Sequence, residues 1–144
     1  MTGHPHVSDI MTRDLVTLSP GTEINHAMQI LLDRRISGAP VLDDQGWLVG
    51  VLSKKDCLRA ALSASYFREW GDTVADYMTS PVETLDADLD IVAAAEAFIA
   101  SAYRRFPVLR QGKLVGQVSR TDVLRALAEQ WDGPRSARAG PSGS

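Results

Sequence analysis

Apolar residues recur along this chain in two rhythms, and each rhythm occurs twice. Ile24, Ala27, Met28, Leu31 and Leu32 fall at i, i+3, i+4, i+7 and i+8, and Ile91, Ala94, Ala95, Phe98 and Ile99 repeat that spacing. Such spacing draws one apolar stripe down an α-helix of about three turns. Short apolar runs follow around residues 39–42 and 47–52, joined by Asp43-Asp44-Gln45-Gly46, which is a hairpin signal. Arg110-Gln111-Gly112 serves as the same turn further on. Leu58, Ala61 and Leu62, and then Val123, Leu124 and Leu127, supply the apolar face of a closing helix. With the stretches Val16-Thr17-Leu18 and Glu83-Thr84-Leu85 ahead of the first helices, the predicted order is short strand, helix, strand, strand, helix, twice over.

The repetition extends to the residues themselves. Residues 7–62 align with residues 74–128 at an offset of 67 (76 − 9 for Asp9 and Asp76), which becomes 66 after a one-residue deletion near Asp44. Val-Ser-Asp9-Ile-Met11-Thr12 matches Val-Ala-Asp76-Tyr-Met78-Thr79, and Pro40-Val41-Leu42 matches Pro107-Val108-Leu109. The strongest match joins Gly46-Trp47-Leu48-Val49-Gly50-Val51-Leu52-Ser53-Lys54-Lys55-Asp56 to Gly112-Lys113-Leu114-Val115-Gly116-Gln117-Val118-Ser119-Arg120-Thr121-Asp122. In each, a glycine turn feeds a β-branched run that ends in Ser-x-x-Asp, the way a strand passes into a capped helix. A repeat of about 55 residues buries too little surface to be comfortable alone, so two copies packed sheet to sheet, with pseudo-twofold symmetry, are expected. That arrangement places the two strand-to-helix corners along a cleft between the repeats.

The chain therefore divides into a flexible N-terminus at 1–6, a first repeat at 7–62, a linker at 63–73, a second repeat at 74–131 and a disordered tail at 132–144. The linker carries Tyr66, Phe67 and Trp70. These aromatics either cover an intramolecular seam or form part of a homodimer interface, where aromatics are enriched. The tail, rich in Gly, Pro, Ser, Ala and Arg, lacks the apolar surface to offset its ordering entropy.

Composition narrows the possibilities. At 144 residues, 44% hydrophobic and 23% charged, the chain fits one ordinary globular domain. A net charge of −3 gives no general attraction to nucleic acid or an anionic membrane. There is neither a membrane-length apolar run nor a secretory signal at Met1-Thr2-Gly3-His4, so a cytoplasmic protein is expected. Cys57 is the single cysteine and reads as a small buried apolar side chain. His4 and His6 stand without further ligands and His26 without a partner, so no metal is assigned.

The paired pattern Asp9-Ile-Met11-Thr12, Gly38-Ala39-Pro40-Val41 and Gly46-x-Leu48-Val49-Gly50-Val51-Leu52-Ser53-x-x-Asp56, repeated through Asp122, resembles a tandem pair of CBS domains, a Bateman module. The resemblance covers nearly all of residues 7–130. It implies an α/β fold of two β-α-β-β-α repeats and two related clefts for adenosine-bearing ligands such as AMP, ADP, ATP or S-adenosylmethionine. It also implies a homodimer with a regulatory, non-enzymatic role, acting on a separate client protein since no catalytic domain is attached here.

Within that resemblance each corner acquires chemistry. One ionised carboxylate can accept from both hydroxyls of a ribose, which makes Asp56 and Asp122 the ribose candidates. Ser53 and Ser119 open helices, where hydroxyls and free N–H groups favour a phosphate. Lys54, Arg120, Arg104 and Arg105 are further phosphate candidates, guanidinium groups being suited to pair phosphate in a fork. Thr17, Gly38 and Ala39 in one repeat, and Thr84 and Tyr103 in the other, are carried over as the adenine surface, while Phe106 reads as core. Arg104 and Arg105 favour a nucleotide over the cationic S-adenosylmethionine. The same Ser-x-x-Asp is also a capping box, and capping and binding can coexist. The rival readings are a ligand-independent dimeric scaffold and, as a minor one, a nucleic-acid binder.

Overall fold

The computed structural model describes residues 3–67 and 71–139. Along the chain the elements are α1 (Val7–Ile10), α2 (Ile24–Arg34), β1 (Gly38–Leu42), β2 (Leu48–Ser53), α3 (Lys54–Phe67) and α4 (Val74–Tyr77). They continue as β3 (Leu85–Asp86), α5 (Ile91–Ile99), β4 (Arg105–Arg110), β5 (Lys113–Ser119) and α6 (Arg120–Ala139). The chain forms two compact units. The first holds Asp14–Glu83 with Gly112–Leu114, and the second holds Met1–Arg13, Thr84–Gln111 and Val115–Ser144.

In the first unit β1 and β2 pair antiparallel, from Gly38 opposite Ser53 to Leu42 opposite Leu48, with an irregularity between Val41 and Leu42. Gly38 is required there: a Cβ would lie 2.9 Å from the Leu52 carbonyl oxygen. The strand expected at 16–18 shrinks to one parallel bridge, Leu18 to Val41, in which Leu18 N–H donates to Pro40 and its carbonyl accepts from Leu42. In the second unit the equivalent Leu85–Asp86 pairs parallel with β4, giving the order β3-β4-β5. The predicted amphipathic helices are present as α2 and α5, and they bury Ile24, Ala27 and Leu31, and Ile91, Ala94 and Phe98.

The hairpin turns carry the chemistry their sequences announce. Gln111 and Gly112 both have positive φ, 51° and 82°, as a two-residue turn between twisted strands requires. Asp43 holds the other turn by accepting from Gln45 N–H and Trp47 N–H, each at 2.9 Å. Lys113 then reaches Trp47, its ammonium 4.0 Å from the ring centroid, and donates to the Gln45 carbonyl at 2.9 Å.

Each unit includes the leading segment of the opposite repeat. Val7 is fully buried in a core with Leu85, Ala94, Phe98, Phe106, Val108 and Val118. Val74 is fully buried in the other core, with Leu18, Ile24, Leu31, Val41 and Leu52. The Asp-x-Met-Thr motif builds both junctions. Asp9 accepts from His6 N–H and Asp76 from Thr73 N–H, starting a short helix in each case. Met11 then covers Gly116 and Met78 covers Gly50, where a Cβ would stand 2.5 Å from the sulfur in both. Thr12 exchanges both backbone hydrogen bonds with Gln117, and Thr79 does the same with Val51.

Three boundaries differ from those read in the sequence. Residues 4–6, expected to be flexible, are tied down: the Pro5 carbonyl accepts from Ile91 N–H, and His4 Nδ1 bonds Gln130. Helix α3 runs through Phe67 into the expected linker, and Trp70 lies outside the described residues. Helix α6 runs to Ala139, past the Trp131 boundary read in the sequence and through Gly133-Pro134. No helix among the described residues is long and apolar enough to cross a membrane.

Candidate functional site

The two strand-to-helix corners share one construction. At the first, the Asp56 carboxylate accepts from Ser53 N–H at 2.8 Å and from Ser53 Oγ–H at 2.9 Å, and Asp56 N–H donates back to Ser53 Oγ at 3.1 Å. At the second, Asp122 accepts from Ser119 N–H at 2.9 Å and Asp122 N–H donates to Ser119 Oγ at 3.1 Å. Both are capping boxes, which satisfy backbone groups that a helix start leaves orphaned. The next residue ties the corner to the loop before the preceding strand. Lys54 N–H donates to the Ser37 carbonyl at 2.9 Å, and Arg120 N–H to the Arg104 carbonyl at 3.0 Å. Ser37, Gly38 and Ala39 are thus brought to Ser53, and Tyr103, Arg104 and Arg105 to Ser119, as the repeat pattern requires.

The two corners differ in what their carboxylates face. The second oxygen of Asp56 is paired to Arg59, and the Asp56 side chain is only 2% exposed. In the second corner Arg125 stands at 3.9 Å from Asp122 Oδ1, and the Asp122 side chain is 23% exposed. Arg59 and Arg125 were missed in the sequence reading, although Asp-x-x-Arg stands at the same place in both repeats.

The remaining candidates fall into distinct roles. Ala39 is buried as a whole residue, paired opposite Leu52, and Gly38 serves the strand contact described above, so neither presents an adenine surface as expected. Thr17 is exposed and Thr84 half-buried. Tyr103 is 44% exposed, one side resting on Phe106 at 5.4 Å between ring centroids. Phe106 is buried against Phe98, as expected of a core residue. Arg104 and Arg105 are exposed. Arg120 spends its Nε–H on the Tyr103 carbonyl at 2.9 Å, so it fixes the Tyr103 loop. Cys57 is buried in the first core, and desolvation, followed by the Asp56 carboxylate, pushes its thiol up from the ordinary range. No cluster of three or more His, Cys, Asp or Glu suited to a metal is found among the described residues.

The CBS domain family matches residues 7–63 and 74–129, a span that includes both corners. The chain belongs to the CBS domain family. Among its CBS relatives, the chloroplastic CBS domain-containing protein CBSX1 of Arabidopsis thaliana is 31% identical over 91% of this chain and 68% of its own length. The crystal structure of CBSX2 from Arabidopsis thaliana in complex with AMP superposes with a TM-score of 0.76 at 31% identity, covering 90% of this chain and 99% of that one. The CBS domain pair of protein MJ0100, solved with 5′-methylthioadenosine and S-adenosyl-L-methionine, superposes with a TM-score of 0.73 over 89% of this chain and 99% of that one. At 24% identity the MJ0100 likeness is one of fold. This CBS pair spans 44%, 73% and 68% of the length of three curated relatives.

Proposed function

We propose that this CBS pair is a non-catalytic regulatory module that binds an adenine nucleotide at its strand-to-helix corners and signals occupancy to a separate protein. The observation that carries the reading is the Asp122 corner. There a partly exposed carboxylate, a helix-opening serine, an exposed tyrosine ring and the exposed guanidinium groups of Arg104 and Arg105 belong to one unit. The carboxylate suits a ribose diol, the ring an adenine face, and the cations a phosphate. The relative CBSX2, solved with AMP, supports an adenosine ligand. S-adenosylmethionine is the poorer fit, since its sulfonium would meet two cations. A homodimer and a cytoplasmic location go with this reading.

Calorimetry with AMP, ADP, ATP and S-adenosylmethionine tests it. Saturable heat with a phosphate-bearing ligand is expected, with the nucleotide recovered unchanged after incubation. No heat with any of the four would leave the second reading, a ligand-independent scaffold. One observation favours that alternative: Leu58, Leu62 and Tyr66, at i, i+4 and i+8, lie exposed along one face of α3, an apolar stripe suited to a protein partner.

A further inference from the structure

The two corners arise from one duplicated pattern, yet their chemistry has diverged in a consistent direction. At the Asp56 corner three donors converge on the carboxylate: Ser53 N–H, Ser53 Oγ–H and the Arg59 guanidinium. A carboxylate offers about four acceptor positions, and with 2% of the side chain exposed the last has no path to a ligand. A ribose diol would need two of those positions. It would therefore have to displace Arg59, leaving a buried carboxylate without its counter-charge. At the Asp122 corner Ser119 Oγ accepts from Asp122 N–H, and the carboxylate receives Ser119 N–H alone at normal hydrogen-bond length. Arg125 stands off at 3.9 Å, and almost a quarter of the side chain meets solvent.

The loop facing each carboxylate differs in the same sense. Ser37-Gly38-Ala39 offers neither ring nor charge, and its alanine is turned into the core. Tyr103-Arg104-Arg105 offers an exposed ring and two exposed cations, and it is anchored by two hydrogen bonds from Arg120, N–H to Arg104 and Nε–H to Tyr103. Carboxylate exposure and the exposed ring point independently to one corner, whereas exposed cations stand at both, Lys54 and Lys55 at the first and Arg104 and Arg105 at the second.

We infer that the chain holds one nucleotide and not two: it sits at the Asp122 corner, while at the Asp56 corner Arg59 takes the place a ligand would occupy. This rests on the reading of the corners as nucleotide sites. Arg59 acts as a built-in counter-ion, and the first corner has become a structural cap.

The test is calorimetry on the full chain with AMP as probe. One AMP per chain is expected, and Asp122→Asn should weaken it about 10- to 100-fold, the worth of hydrogen bonds to a charged acceptor. Two AMP per chain, or an event of wild-type affinity surviving in Asp122→Asn, would overturn the inference while leaving the nucleotide reading intact. Should Asp122→Asn fail to fold, Arg104→Ala, at an exposed position, decides the matter. A loss of about tenfold supports the assignment, and unchanged affinity overturns it. Absence of heat with AMP, ADP, ATP and S-adenosylmethionine would instead sink the nucleotide reading itself.

Discussion

A serine and an aspartate three residues apart do two jobs that sequence alone leaves superimposed. The hydrogen bonds show the capping job performed at both corners, and the burial shows it performed more completely at Asp56. Asp56→Ala should therefore cost about 1–3 kcal/mol of stability and Asp122→Ala about 0.5–2 kcal/mol, read from urea midpoints. A larger loss at Asp122 would contradict the assignment. The burial of Cys57 also has a measurable sign. With the folded thiol raised, the unfolded chain ionises first as pH climbs past about 8.5, so it binds fewer protons than the native state and stability falls with rising pH. Below that pH the contribution is fully present. Cys57 should resist a thiol reagent at pH 8 in the native protein and react on unfolding, and rapid labelling without denaturant would refute its burial. The capping bonds of Asp56 and Asp122 and the burial of Phe106 and Cys57 follow from residue type and spacing. The Arg59 pairing does not, because whether an i+3 arginine closes on its aspartate depends on burial that only the packed chain decides.

At the scale of elements, periodicity identifies α2 and α5 well, because an apolar face at helical spacing has one way to be buried. The hairpins follow from Gly46 and Gly112, where the turns need positive φ. What the pattern did not reveal is short-range competition: Leu18 makes a single bridge while Leu85 starts a two-residue strand, a difference of one pair between equivalent segments that share only Thr-Leu. Nor did it explain why Asp-x-Met-Thr recurs. The structure gives each letter a task, the acid capping a one-turn helix, the methionine covering a glycine and the threonine exchanging hydrogen bonds with a strand. Gly116→Ala would push a methyl to 2.8 Å from the Thr12 carbonyl oxygen, a backbone atom that cannot swing aside. It should destabilise by about 1–3 kcal/mol. Gly21→Ala, with nothing within 4 Å, should stay within about 0.5 kcal/mol. Equal midpoints for the two variants would show the glycine contact to be loose.

At the scale of the whole molecule, the exposed apolar residues are themselves repeated. Leu32 and Ile99 are equivalent across the duplication, as are Leu58 and Leu124, and all four lie more than half exposed. Tyr66 and Phe67 are likewise 74% exposed, as the proposed homodimer would need. Light scattering should then give twice the chain mass of 15.6 kDa, and Leu58→Glu or Leu124→Glu should shift it toward the single-chain value. A wild-type monomer at micromolar concentration would remove the dimer from the proposal. Sequence alignment places the two repeats in a row, residue 62 before residue 74, but it cannot say which core receives Val7 and which Val74. Those two valines are apolar pegs seated in each other's half of the chain. A protease cut between Gly71 and Thr73 would leave both fragments with an unfilled socket and a stranded peg. Neither piece should refold by itself, and mixing the pair should restore a native protein by complementation.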